Sequence, residues 1–572
     1  MDTFESYFSF ENILRQLCKY RIQAARKRHK LHLIRDVSLS NRSLQDFINL
    51  HPIDDILKQI LPPRRQWISI KKEHRTIYKS SIKRNRLILY RTVIKTHISS
   101  DCNPKPEWYI NLIRFIETVR ECVGNNSNYI ISKPSIRPEI KKKLANYTEC
   151  RPLAEYTYFD RIIISLTAKY LTDLFDSYLV NDSSYAFRSS KSKPVKNHHE
   201  CITEIRNYII DNSKREIWVS ECDIKKFFDC VDHTLAVKSL QYFVEKAQIN
   251  GVCCHQSAIR IFNSYLNSYN YLEDVYKKDD AYFKNFRIKN GCFPLPLGDL
   301  KNKFYCHDHE IKIGVPQGGA ISCLIANLLL HFADEEVLKV NDEGLRYLRF
   351  CDDMVILAES KESCVKALER YLAITNDLKL LTHPPIECNQ YSSQFWNAKS
   401  KFPYKLSKSS IPWVSFVGYQ IRYDGIVRIR KTSIRKEIDK QRKEANKVLA
   451  AIDADIPSLV NKSSRKSKKQ QVAALESRLI SMSVGRVSLH NWKVYTPEYC
   501  WAIGFKKLNF NHAVSGQLKN LDRERNKQLH RFKRKLADLT KEIDNPDRVH
   551  VKTYKGSPFS YHFRAKTDST RK

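Results

Sequence analysis

Arg349-Phe350-Cys351-Asp352-Asp353-Met354-Val355-Ile356-Leu357 sets two adjacent carboxylates between two short, mostly apolar runs, Leu345 to Phe350 and Met354 to Ala358. Each run has strand length and β-type residues, so the stretch predicts a hairpin with Asp352 and Asp353 at its tip. Such a tip exposes acidic oxygens, the ligand type that hard divalent cations such as Mg²⁺ require. An Asp-Asp pair on a surface turn is common, however. Metal chemistry also needs a third carboxylate on a neighbouring strand and groups nearby to seat a phosphate-bearing ligand.

Ile217 to Ile224 reads as a largely buried strand with Asp223 at its end. A carboxylate closing an apolar strand is costly to desolvate unless a cation or hydrogen-bonding partner compensates. The other reading of Asp223 is the N-cap of a helix starting there. Asp229 and Asp232, farther along, read equally as solvated. Gly314-Val315-Pro316-Gln317-Gly318-Gly319-Ala320-Ile321-Ser322 favours a turn, followed by a helix-length run from Ala320 to Val340. A Gly-rich turn feeding a helix N-terminus lets backbone N–H groups approach a phosphate or a base pair, although it also reads as a plain helix start.

These three pieces, in this order, resemble the reverse transcriptase palm. Asp223 with Phe227-Phe228 looks like the family's first catalytic motif. Gly314 to Gly318 matches its Gly-x-Pro-Gln-Gly element, and Phe350-Cys351-Asp352-Asp353 matches its aromatic-x-Asp-Asp hairpin. Arg151-Pro152-Leu153, Asp160-Arg161-Ile162-Ile163 and Ser184-Tyr185-Ala186-Phe187-Arg188 resemble the fingers pattern of bacterial group II intron and retron-type enzymes. Phe416-Val417-Gly418-Tyr419-Gln420-Ile421 looks like the palm–thumb junction strand.

The resemblance implies roles. Asp223, Asp352 and Asp353 would bind metal, with the backbone carbonyl of Ile224 as a further ligand. The ion would be Mg²⁺, with Mn²⁺ as the alternative, in a two-metal site. Phe228 falls where the family places a steric gate against a ribose 2′-OH. Gln317 and Gly318 would line the incoming nucleotide and its templating base. Arg151 is a candidate triphosphate clamp, since guanidinium matches phosphate oxygens bidentately; Arg188 reads at least as well as a structural fingers residue. Two departures stand out. Phe350 occupies a place where Tyr is commoner, and Leu380 to Glu387 has no lysine where the family's proton donor is expected.

With 572 residues the chain has room for two to four domains. Its net charge of +37 predicts a polyanionic partner. The excess is uneven: residues 426–572 carry about 35 basic and about 14 acidic side chains. Sixteen cysteines without CxxC spacing fit a reducing cytoplasm. Cys306-His307-Asp308-His309 and His198-His199-Glu200-Cys201 look ligand-like, yet each lacks a matching pair. No apolar run approaches the roughly 20 residues that cross a bilayer, and the acidic Met1-Asp2-Thr3-Phe4-Glu5 is unlike a signal peptide.

The expected fold is α+β: a right-hand polymerase of fingers, palm and thumb with an antiparallel palm sheet. Residues 1–145 read as a mostly helical, basic N-terminal extension leading into the fingers. Residues 146–422 form fingers and palm, and 423–572 a helical thumb and basic C-terminal region. A Tyr- and Lys-rich insertion around Ser268 to Tyr305 reads either as a nucleic-acid contact or as an ordinary surface insertion. Ile434 and Ile438 mark one apolar stripe on a basic helix from Lys431 to about Ile452. Asn461 to Gln471 reads as a linker, and 472–545 as largely helical. The tail with Tyr554, Phe559 and Tyr561 reads as ordered against the body.

The expected activity is RNA-directed DNA polymerisation. Its partners would be dNTPs, an RNA template in the form of a dedicated noncoding RNA, and the DNA product, in bacterial antiviral defence. No membrane is involved, and a homo-oligomer is left open. The alternatives are untemplated or protein-primed synthesis with Tyr554 or Tyr561 as primer, an intron maturase, and a non-catalytic RNA-binding scaffold. The last is disfavoured because clustered carboxylates repel one another without a metal.

Overall fold

The computed structural model describes residues 3–35, 54–69, 81–99, 104–189, 191, 196–454, 468–484, 501–509, 511–541 and 556–561. The strands among them are β1 (Ser135–Lys143), β2 (Thr148–Glu155), β3 (Trp218–Cys222), β4 (Gly291–Cys292), β5 (Arg346–Phe350), β6 (Asp353–Ala358), β7 (Lys401–Lys405), β8 (Trp413–Phe416), β9 (Tyr419–Arg422) and β10 (Val427–Ile429). The chain divides into two compact units. One comprises Met1–Ile13, Phe115–Val417 and Ile421–Ile426; the other comprises Leu14–Arg114, Gly418–Gln420 and Val427–Lys572.

The first unit is built on a four-stranded sheet in the order β5-β6-β3-β7, with every neighbouring pair antiparallel. This is the expected α+β palm. Its strands form because β-branched and aromatic residues recur where one face must be buried. Cys222, Tyr347, Met354, Ile356 and Ala358 turn one face toward Ala333 and Val337 of the Ala320–Leu338 helix. Cys364, Ala367, Leu368 and Tyr371 of the Lys361–Asp377 helix complete that core. Each large apolar side chain so buried contributes about 1.5–3 kcal/mol. The Ala320–Leu338 helix is buried almost all round, from Ile321 to Val337, so it runs through the interior instead of lying on a surface.

A second sheet, β1-β2-β4, pairs β1 with β2 antiparallel and β2 with β4 parallel. Strand β4 belongs to the insertion, which is no loose surface loop. Tyr269, Tyr271, Val275, Phe283, Phe293 and Leu300 form an apolar cluster there with Cys150, Cys230, Ile313 and Leu381 of the body. The expected junction strand is instead a strand–turn–strand. Val417 and Gly418 form a turn with φ of 41° and 85° between β8 and β9.

In the second unit the Lys431–Ala454, Lys468–Val484 and His512–Lys541 helices pack through Val448, Leu449, Leu475, Leu479, Leu529 and Phe532. Ile434 is buried with Leu518 and Leu521, and Ile438 packs against the same cluster. The helix from Lys468 overtakes the end of the expected linker, whose residues 461–467 lie outside the described ones. Asp522 accepts hydrogen bonds from the Phe559 and Ser560 amides at 2.9 and 3.0 Å, fixing the C-terminal segment. Tyr561 packs on Ile480 and Val484; Tyr554 lies outside the described residues. Among the described residues no helix is long and apolar enough to cross a membrane.

Candidate functional site

The hairpin tip is one residue earlier than the sequence suggests. Phe350 pairs with Asp353, so Cys351 and Asp352 form the two-residue turn and Asp353 opens β6. Cys351 takes a φ of 62°, the left-handed value that tight hairpins demand of their first turn residue. A non-glycine residue held there costs about 1 kcal/mol or more, and its surroundings must impose it. They do so through Arg349, which donates from Nη1 to the Cys351 carbonyl at 3.1 Å.

Asp223 follows β3, and the register that sets Cys222 against Met354 brings it level with Asp353. It is not the N-cap of the next helix. That helix, Phe227–Cys230, is preceded by Lys226 at φ 52°. The Asp352 carboxyl is held above the usual carboxylate range, first by burial and next by the charge of Asp223, with Lys399 pulling the other way. The two aspartates therefore form one electrostatically coupled pair. Lys399 Nζ makes an ion pair with Asp223 Oδ2, and His383 Nε2 lies 3.7 Å from the same oxygen. Burial and Lys399 push the His383 imidazole down toward its neutral form. The Asp223 amide donates to Ser400 Oγ at 3.0 Å.

Ile224 faces Thr382 across a bridge whose hydrogen bonds are made by its neighbours, from Lys225 N to Leu381 O and from His383 N to Asp223 O. The Ile224 carbonyl is not consumed by that bridge. Asp353 is exposed, and no three His, Cys, Asp or Glu side chains among the described residues are grouped closely enough to hold a metal ion by themselves. The donors brought together are thus two carboxylates, with a lysine seated on one of them. That set fits Mg²⁺, which is commonly bound by one or two carboxylates plus substrate phosphates.

The glycine-rich loop is tied directly to the Asp223 segment. Gly314 N donates to Val231 O at 2.8 Å, and Val315 N to Phe228 O at 2.7 Å. Gly314, at φ 92°, lies where a Cβ would meet Tyr271 at 2.5 Å. Pro316 to Gly319 closes a turn by the bond from Gly319 N to Pro316 O at 3.1 Å. Gly318 at φ 93° supplies the positive φ that such a turn needs at its third residue. A Cβ on Gly318 would meet nothing within 4 Å, so this side of the loop is open to a ligand. Gln317 is half-buried and donates from Nε2 to Asp229 Oδ1 at 2.6 Å.

Phe228 is half-buried beside Phe227, with ring centroids 5.2 Å apart. Arg151 is exposed on β2, close enough for its charge to act on Asp229 together with Lys226 and Lys141. Glu149 holds Lys141 and Lys226 at 2.8 and 3.3 Å. Arg151, Lys226, Lys141 and Gln317 thus all act on Asp229, six residues along the chain from Asp223.

Several contributors are not apparent from the sequence. Asp229 and Asp232 are both buried, not solvated. Asp232 caps the His233–Ile249 helix by accepting from Leu235 N at 3.0 Å. Arg349, in the strand before the tip, is fully buried against Asp334 and bonded through Nε and Nη2 at 2.7 and 2.6 Å. Its Nη2 also reaches Ser184 Oγ at 3.1 Å, and its backbone pairs with Ser183 and Tyr185. The Ser184-to-Arg188 motif therefore serves as a buttress for the hairpin. Arg188 is structural, since it donates to Asp176, Val180, Ser184 and Asn181 of its own segment. A charged residue inside each of two apolar runs, Asp334 and Arg349, was the available signal.

Residues 140–385 match the family described as reverse transcriptase (RNA-dependent DNA polymerase). The chain is similar to the group II intron-encoded protein LtrA of Lactococcus lactis subsp. cremoris, 25% identical over 255 residues, or 44% of this chain. The match spans about a third of that relative's length (31%). Among solved structures, apo telomerase from Candida tropicalis aligns over 93% of both chains at 12% identity and a TM-score of 0.35. Telomerase from Candida albicans with a fragment of telomeric RNA aligns over 86% of this chain and 75% of its own, at 12% identity and a TM-score of 0.31. Both superpositions are too loose to speak for the architecture.

Proposed function

We propose that the reverse transcriptase domain of residues 140–385 makes this chain an RNA-directed DNA polymerase, adding dNTPs to a 3′ hydroxyl opposite an RNA template. The observation that carries this reading is the coupled Asp223–Asp352 pair, at the ends of neighbouring strands inside the matched segment. Asp223 and Asp352, with Asp353 and the Ile224 carbonyl beside them, would hold Mg²⁺ or Mn²⁺, which when bound activates the attacking hydroxyl and offsets triphosphate charge. Arg151 and Lys226 supply cations for phosphate oxygens. Gln317 and the open face of Gly318 receive the nucleotide, and the Phe228 ring crowds a 2′-OH. The excess of basic side chains over residues 426–572 would attract the nucleic acid, an attraction that weakens steeply with salt.

In its finer form the template is a dedicated noncoding RNA and the setting is antiphage defence in the bacterial cytoplasm. This follows from the resemblance to stand-alone bacterial reverse transcriptases with a helical extension and a basic C-terminus. A reducing compartment is supported by the described cysteines, none of which forms a disulfide. The similarity to an intron-encoded protein favours intron RNA binding as the second reading.

The test is labelled dNTP incorporation by the purified chain with Mg²⁺, its copurifying RNA retained or digested, beside Asp352→Asn. RNA-dependent incorporation that falls at least about a thousandfold in the variant is expected, since carboxylates at a metal are worth several kcal/mol of transition-state stabilisation. Synthesis unchanged in Asp352→Asn would remove this site. Synthesis that survives RNA digestion would replace templated copying by untemplated or protein-primed extension. Intron RNA bound without any synthesis would favour the second reading.

A further inference from the structure

We propose that Asp229 is a positioning residue that sets which end of the Gln317 amide faces the incoming nucleotide. This rests on the polymerase reading of the site. Asp229 is 1% exposed, and its Oδ1 takes the Gln317 Nε2 hydrogen bond at 2.6 Å. An ionised carboxylate only accepts, so it holds the NH₂ end of the amide and leaves the Gln317 Oε1 acceptor turned away from it. A protonated Asp229 can donate instead. The amide can then reverse, with Oε1 inward and NH₂ outward. A nucleotide meeting Gln317 would find an acceptor in one state and a donor in the other.

The backbone on both sides is fixed, so the amide is the part left to change. Asp229 N donates to Lys226 O at 2.8 Å, and Val315 N to Phe228 O at 2.7 Å. The helix from Ala320 begins immediately beyond the turn that carries Gln317. Packing alone does not account for a carboxyl group here. Among the described residues no ion pair is made to Asp229, and a buried carboxylate paired only with an amide is less favourable than an asparagine of the same shape.

The charged groups facing Asp229 are Lys226 from the turn before it, Lys141 from β1 and Arg151 from β2, all favouring the ionised form. Tyr269, Tyr271 and Cys230 also adjoin it, each kept neutral by burial. Burial of Asp229 outweighs the three cations and raises its carboxyl to about 6. The carboxylate is therefore ionised at neutral pH and takes up its proton as the pH falls through about 6.

The experiment is steady-state dNTP incorporation on a fixed RNA template and DNA primer, from pH 5.5 to 8.5, for wild type, Asp229→Asn and Gln317→Met. Wild-type KM for dNTP is expected to rise as pH falls through about 6. Asp352 is unchanged in both variants, so an acid limb in KM that they lose is the one carried by Asp229 and Gln317. Asp229→Asn should raise KM about tenfold at pH 8, the scale of one hydrogen bond to a charged group, and should flatten the limb. Gln317→Met should flatten it too without touching the buried carboxyl, so a misfolded Asp229→Asn leaves the question decidable. An acid limb in KM that persists in either folded variant overturns the proposal. A wild type that incorporates nothing at any pH overturns the polymerase reading, and this inference with it.

Discussion

Replacing Arg349 by leucine tests whether the acidic tip is held from behind. Arg349 and Asp334 are both fully buried and joined by two hydrogen bonds of 2.7 and 2.6 Å. Without the guanidinium, Asp334 keeps only the Tyr347 hydroxyl, at 2.9 Å, in a dry core. Leaving one partner of a buried pair uncompensated costs about 3–5 kcal/mol. Asp334 holds the guanidinium above its ordinary pKa against the opposing effect of burial, so in the wild type Arg349 is a cation at every accessible pH.

The double variant Arg349→Leu/Asp334→Leu removes both charges and should recover all but about 1–2 kcal/mol of that loss. Catalysis should not recover, because the Cys351 carbonyl has lost its donor and nothing enforces its left-handed conformation. The assay is hydrogen exchange of the β3 and β6 amides at increasing urea, which reads this sheet alone within a chain of two units. A loss below about 1 kcal/mol in Arg349→Leu, or a double variant no more stable than Arg349→Leu, would refute the reasoning. Recovered synthesis in the double variant would refute the link from this pair to the tip.

Two further outcomes are expected. Phe228→Ala should admit ribonucleotides, lowering the preference for dNTP at least about tenfold, the scale of a single steric contact in a pocket; competing rNTP incorporation measures it, and an unchanged preference takes the gate away from Phe228. Lys399→Gln should tighten Mn²⁺ binding at pH 8, read by electron paramagnetic resonance without nucleotide, because Nζ no longer competes for Asp223 Oδ2. Lys399 also holds the Asp352 pKa down, so in the variant Asp352 takes up its proton at higher pH and the acid loss of Mn²⁺ moves up; unchanged affinity at pH 8 would mean that Lys399 does not compete with metal.

Local signals were enough for the strands, because an apolar run such as Met354 to Ala358 has few other places to go. They were also enough for the helix after Gly319, where glycines and proline stop one element and start another. The tip was misplaced by a residue because the sequence offers Asp-Asp as the natural turn. The turn is instead fixed by Arg349, whose partners come from Asp334 and Ser184. Asp229 and Asp232 looked solvated beside Lys225-Lys226. They are buried by Gln317 and by Tyr305, whose hydroxyl reaches Asp232 at 2.9 Å, groups that only the fold brings near.

Lys399, the lysine paired with Asp223, shows the same thing. Strand β7 runs back along β3, setting Val219 against Tyr404 and Glu221 against Lys401, and that register carried two residues further puts Lys399 beside Asp223. Spacing along the chain could not reveal this, because it depends on which strand covers the far edge of β3. Composition held a partial clue: Glu221, Asp334 and Arg349 are charges set in apolar runs, and none could be buried alone. Each has an opposite charge in the folded chain, Lys401 for Glu221 and Arg349 for Asp334. The need for partners was thus legible from the sequence, while their identity depended on strand order.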